Sequence, residues 1–302
     1  MITNIMNAMT FLRMKNRLLG AIMPEKVARD AARLFLTPRR FPLKEWEKEA
    51  EQKCRRHTFG EGLSAARWGE GSRRILLVHG WESRATQMYG IASVLVENGF
   101  EVVAIDAPLH GHSKGTKSNP VTFAEAIVAA VKELGPFDGT VGHSMGAAAI
   151  AFTMDMGEDP GRCVCISAPS CMYHILRAFS RLIGLSEKFT ARFISHVETE
   201  VGRPSRELDV GRVFAKVKPD VLLIHARNDQ EVPYSSLEQI KQAYPDAQAY
   251  SPDDLDHRRI VRDTTVASLI SEFMKSGCMT GIAGSASGHA TPAMKLPAGS
   301  PN

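Results

Sequence analysis

Short apolar runs alternating with helix-period segments set the tightest limit on what this chain of 302 residues can fold into. Ile75-Leu76-Leu77-Val78 and Val102-Val103-Ala104-Ile105 are too short for helices and show no polar alternation, so they read as strands buried on both faces. Met88, Ile91, Ala92 and Leu95, and then Ala124, Ile127, Val128, Val131 and Leu134, recur at helical spacing. A weaker strand near Thr140 runs into Ser144, and the helix that follows, over 147–156, is apolar all round and therefore expected to be buried. Residues 163–166 and 221–224 are further strands, and Val266, Leu269, Ile270 and Phe273 mark a final helix. Parallel strands need crossovers of this kind, so the expected class is α/β, a mostly parallel central sheet flanked by helices over residues 55–275. Residues 57–71 read as a hairpin with Gly60 and Gly62 at its turn.

Three stretches depart from that rhythm. Residues 1–60 hold thirteen Lys and Arg against six Asp and Glu, a net +7 in a chain whose total is only +4. The body is thus slightly acidic, which, with the lack of any nucleic-acid-binding motif, argues against a nucleic-acid partner. Residues 1–54 read as a basic helical segment. Ile2, Ile5, Met6, Met9 and Leu12 make one amphipathic helix, whose stripe packs on the domain or a second subunit of a homodimer, or lies peripherally on an anionic membrane. Pro24 starts a second helix bearing Val27, Ala31, Leu34 and Phe35, stopped by Thr37-Pro38. Between the strands ending near Ser167 and starting near Val221, residues 168–219 far exceed an ordinary crossover of about a dozen residues. Met172, Ile175, Leu176, Phe179, Leu182 and Ile183 form one apolar stripe there, and Phe189, Phe193 and Val197 another, so inserted helices are expected. Residues 276–302 are rich in Gly, Ala, Ser and Pro, which predicts a disordered tail.

Composition excludes several classes. With 44% apolar residues the chain is not disordered throughout, and no stretch approaches the roughly 18 apolar residues of a membrane span. The five cysteines are too scattered for a disulfide framework, and Cys163 and Cys165 lack a second ligand pair for zinc. The first 23 residues lack a charged-then-apolar signal pattern, so a cytoplasmic location is expected.

The local signal with most chemistry in it is Gly142-His143-Ser144-Met145-Gly146. Its value comes from its place, where a strand must turn sharply into a helix. That turn raises the Ser hydroxyl at the carboxyl edge of the sheet, beside free helix N–H groups. Ser144 as a mere helix cap is the alternative. A serine nucleophile needs a base, and the base an orienting carboxylate. Of the ten histidines, His257 lies in a loop before the last helix, whereas His79 and His225 end strands, and His143 sits inside the turn itself. His110 and His112 would make a metal pair with no third ligand, and His289 is in the tail. Asp229 follows the strand at 221–224 and reaches the same sheet edge as Ser144; Asp253, Asp254 and Asp256 are local substitutes, and capping of the next helix is the other role open to Asp229.

Over residues 55–275 the chain resembles the α/β-hydrolase fold serine hydrolases. His79-Gly80-Trp81 is similar to that family's HG-x loop, and residues 106–113, Asp-Ala-Pro-Leu-His-Gly-His-Ser, to its D-x-P-G-x-G-x-S loop, with Leu109-His110 in place of Gly-x. Asn228-Asp229-Gln-Glu-Val232-Pro233 is similar to the segment carrying the acid, although Asp256 stands where the family has Gly before its His. The resemblance implies Ser144, Asp229 and His257 as catalytic triad, the N–H groups of Trp81 and Met145 as oxyanion hole, and a helical cap whose apolar stripes line an acyl pocket. It also implies a small-molecule acyl ester, medium-chain or lipid-like, as substrate, with no cofactor or metal. Thioester or C–C bond hydrolysis on the same fold, and a non-catalytic binding protein, are the rival readings.

Overall fold

The computed structural model describes Thr10, Arg13, Met14, Asn16 and residues 22–278. Its eight strands are β1 (Arg55–Phe59), β2 (Leu63–Trp68), β3 (Arg73–Val78), β4 (Phe100–Asp106), β5 (Gly139–His143), β6 (Arg162–Ile166), β7 (Val221–Ile224) and β8 (Gln248–Tyr250). They form one sheet in the order β1-β2-β4-β3-β5-β6-β7-β8. The β1–β2 hairpin pairs antiparallel with β4, and every later pairing is parallel.

The period-2 geometry of β3 sorts the core. Leu76 and Val78 face one layer, with helices α4 (Pro120–Leu134), α5 (Met145–Asp155), α8 (Val210–Val217) and α9 (Ser235–Ala243). Ile75 and Leu77 face the other, with α3 (Tyr89–Glu97) and α10 (Thr264–Ser276). Every residue of α5 from Met145 to Met154 is buried, as its uniformly apolar sequence requires. The carboxyl ends of β3, β4, β5, β7 and β8 all open onto one edge, where parallel sheets bind their ligands.

The interval after β6 holds three helices. α6 (Met172–Leu182) and α7 (Glu187–Val201) stand off the sheet, but α8 packs against α5 and α9 and is the crossover helix proper. Helix α1 (Pro24–Leu36) begins at its proline and ends at Thr37, before Pro38. Its small face, Ala28, Ala31 and Ala32, lies on Phe193, Ile194 and Val197 of α7 and Leu176 of α6. Arg13 and Asn16 attach to the same pair of helices, donating to the carbonyls of Leu182 and Ile183 at 2.9 and 2.8 Å. Helix α2 (Glu45–Gln52) then leads into β1. The expected amphipathic helix through Ile2, Ile5, Met6, Met9 and Leu12, and positions 279–302 of the expected tail, lie outside the described residues. Ser276 closes α10, and Gly277 caps it at φ +76°. No helix among the described residues is long and apolar enough to cross a membrane.

Candidate active site

Ser144 sits between β5 and α5 at φ 53° and ψ −116°, a strained conformation for a residue with a side chain. Two glycines permit it by close approach. A Cβ on Gly146 would lie 2.4 Å from the Val78 carbonyl oxygen, and one on Gly80 would lie 3.0 Å from the Ser144 Cβ. The spacing of the motif is therefore a packing requirement. It lets α5 start directly against the end of β3, with the His79–Trp81 loop against the serine. The Ser144 side chain makes no capping hydrogen bond, so its hydroxyl is not occupied as a helix cap.

Asp229 and His257 meet across 28 residues of sequence, with Asp229 Oδ2 2.7 Å from His257 Nδ1. The other carboxylate oxygen, Oδ1, accepts the N–H groups of Glu231 and Val232 at 2.9 and 2.8 Å. Burial opposes ionisation of Asp229, but the hydrogen bond and charge of His257, with the two N–H groups, outweigh it and hold the carboxyl down to about 2. His143 holds His257 from the other side, its Nε2 2.8 Å from the His257 carbonyl oxygen. Burial first, then the His257 charge, pushes His143 down to about 3; it stays neutral and donates that bond. Asp256, in the place of a glycine, turns Oδ1 to the N–H groups of Arg258 and Arg259 at 3.0 and 2.8 Å and shapes the turn after His257.

The loop after β3 is held by two buried histidines. The Ala107 N–H donates to His79 Nε2 at 3.0 Å, so the ring proton is on Nδ1, which donates to the Gly80 carbonyl at 2.6 Å. Burial drives His79 down to about 4 and keeps it in that neutral form. In a trans peptide the carbonyl of Gly80 and the N–H of Trp81 point oppositely, so fixing one aims the other. The Trp81 N–H itself donates to no backbone acceptor among the described residues. The Met145 N–H, at the first position of α5, has no acceptor within its helix. His110 accepts the Glu82 N–H at Nε2 (3.1 Å), and burial first, then the charge of His79, holds it to about 3. His112 points elsewhere, toward Glu51, and no three metal-ligating side chains converge among the described residues. His225 donates to the Val232 carbonyl at 2.9 Å beside Asp229.

Ser144 and His257 line one cavity of about 480 Å³. Its outer wall comes from the connection between α1 and α2, including Arg39, Phe41, Leu43 and Lys44, and not from the helices at 172–197. Of the apolar stripes expected to line an acyl pocket, Leu176, Ile183, Phe193 and Val197 are instead buried with α1, Met172 joins the core on the sheet and Leu182 is exposed. Arg39 and Arg40 tie that connection down. Arg39 grips Glu82 through both carboxylate oxygens at 2.8 and 2.7 Å, and Arg40 donates to the carbonyls of Leu109 and Ser113 at 3.1 and 3.3 Å.

A family model described as the alpha/beta hydrolase family matches residues 75–272. Among solved structures, an esterase of Pyrococcus furiosus is 19% identical, with a TM-score of 0.60 over 80% of this chain and 97% of that one. An esterase from Exiguobacterium antarcticum is 16% identical, with a TM-score of 0.57 over 72% and 99%. The thioesterase domain from a curacin biosynthetic pathway is 17% identical, with a TM-score of 0.55 over 74% and 99%. At these identities the likeness is one of fold. No curated protein matches the chain in sequence.

Proposed function

Because the chain belongs to the alpha/beta hydrolase family, we propose that it is a serine hydrolase that cleaves carboxylic esters through an acyl-enzyme on Ser144. One observation carries the reading. His257 commits Nδ1 to a buried, ionised Asp229 and shares a cavity with the strained Ser144. In this reading Nε2 of His257 takes the hydroxyl proton as Ser144 attacks the ester carbonyl. Asp229 fixes the imidazole tautomer and stabilises the imidazolium. The N–H groups of Trp81 and Met145 receive the oxyanion, with one such donor worth about 3–4 kcal/mol. His257 then protonates the leaving alkoxide, and water, deprotonated by the same nitrogen, releases the acid.

Phe41, Leu43, Met88 and Val261 border the cavity among charged groups, which suits a short acyl or aryl group better than a long lipid chain. Steady-state hydrolysis of 4-nitrophenyl butyrate by the wild type and by Ser144→Ala tests the proposal. A loss of about 10⁴-fold or more in kcat is expected. A folded Ser144→Ala protein with wild-type turnover would overturn it.

A further inference from the structure

The lining of the cavity that holds Ser144 carries more positive charge than its own carboxylates engage. Three carboxylates line the cavity, and each already has a guanidinium partner. Glu82 holds Arg39 at 2.7 Å, Glu231 holds Arg258 at 2.6 Å, and buried Glu47 faces Arg84 at 3.4 Å while accepting the Lys44 backbone N–H at 3.0 Å. Two lining cations remain. The side chains of Lys44 and Arg262 form no ion pair within 4.0 Å among the described residues. The Arg262 guanidinium lies 5.4 Å from the centroid of the Trp46 ring, and its N–H groups make no hydrogen bond among the described residues. Asp256, the acidic neighbour on the same loop, turns Oδ1 to backbone N–H groups; its charge is felt by Arg262 and Arg259 but makes no contact with Arg262 within 4.0 Å.

Lone cations on an open surface are ordinary. These two, exposed as they are, line a cavity bordered also by Phe41, Trp46 and Trp81, where low-dielectric walls concentrate a positive potential. A neutral ester makes no use of it.

We propose that the substrate carries a second, anionic group besides the scissile ester, and that Lys44 and Arg262 receive it. The inference rests on the serine-hydrolase reading for the ester and adds the class of ester. Arg262 supplies forked donors suited to a carboxylate or phosphate, and Lys44 a mobile point charge. Two partly screened contacts of this kind amount to about a tenfold preference. The Arg39–Glu82 clamp holds the segment bearing Lys44 over the site, so the preference belongs to the folded N-terminal connection and not to the sheet.

The test compares kcat/KM for two substrate pairs, in the wild type and in Lys44→Gln/Arg262→Gln. One pair places the charge on the acyl side, 4-nitrophenyl hydrogen glutarate against 4-nitrophenyl butyrate. The other places it on the alcohol side, 4-carboxyphenyl butyrate against its methyl ester. Intrinsic reactivity cancels in the ratio between the two proteins. The anionic-to-neutral ratio should fall about tenfold in one pair, which also identifies the side, and Lys44→Arg/Arg262→Lys should keep it. An unchanged ratio in both pairs overturns the inference. Calorimetry on Ser144→Ala, with and without the Gln substitutions and with the anionic ester of the pair that responds, reads the same contact without turnover. Binding weakened at least fivefold supports the proposal, and equal or absent binding contradicts it. Intact binding with no Ser144-dependent hydrolysis would count against the serine-hydrolase reading alone.

Discussion

Replacing Asp229 by Asn exchanges one oxygen for an NH₂ group and should cost activity far more than stability. Oδ1 of Asp229 accepts the N–H groups of Glu231 and Val232, so the amide oxygen of an asparagine must stay on that side. Its NH₂ then faces His257 Nδ1, where the carboxylate oxygen stood at 2.7 Å. That donor needs an acceptor, so Nδ1 gives up its proton and the imidazole carries it on Nε2. In this tautomer His257 cannot take a proton from Ser144. The expected loss is about 10⁴ in kcat, or about 5 kcal/mol of transition-state stabilisation. Turnover of 4-nitrophenyl butyrate, measured beside urea unfolding of the same preparation, separates the two effects. A natively folded Asp229→Asn protein that keeps more than about a hundredth of wild-type kcat would refute the tautomer reasoning.

The depressed carboxyl of Asp229 also makes a pH-linked prediction. Its folded value of about 2 lies below the ordinary 3.8, so its contribution is complete above the ordinary value and is lost as pH falls through the folded one. The gap in unfolding free energy between wild type and Asp229→Asn should shrink by about 2 kcal/mol between about pH 5 and pH 2, and a constant gap would contradict this. Gly146→Ala should cost about 3 kcal/mol or prevent folding, because its Cβ would meet the Val78 and His79 carbonyl oxygens at 2.4 and 2.6 Å. Denaturant unfolding reads that cost, and a neutral result would mean that α5 can withdraw from β3. Leu109 stands at φ +65°, where a side chain is strained. Leu109→Gly should therefore raise stability by about 1 kcal/mol in thermal unfolding, and a destabilised variant would show that its side-chain packing outweighs the strain.

Much of the sheet was legible because buried parallel strands leave short, uninterrupted apolar runs, as in Ile75–Val78 and Val221–Ile224. The short β8 was not, since Gln248-Ala-Tyr250 carries no pattern of its own and pairs only because β7 lies beside it. Helix α8 lay hidden inside an interval read as cap, although Val210, Val213 and Phe214 belong to the core of the sheet. Helix α2 reads as a polar run and is held largely through buried Glu47 and Ala50. At the candidate site, the place of Ser144 at the turn from β5 into α5 was legible from local spacing. The duties of His79, His110 and His143 were not, because each depends on a backbone group brought close by the fold, up to 114 residues away. The connection over 39–44 was the largest omission. Its Arg-Arg-Phe-Pro-Leu has no periodicity, and its place over the cavity follows from α1 docking on the cap and from the Arg39–Glu82 pair.

The central claim, that Ser144 is a nucleophile activated by His257, is met most directly by intact-mass analysis after treatment with a fluorophosphonate. One adduct per chain is expected, mapped to Ser144 by peptide analysis, absent in Ser144→Ala and formed far more slowly in His257→Ala. A folded wild-type protein that forms no adduct, or forms it on another residue, would mean that Ser144 is not the nucleophile.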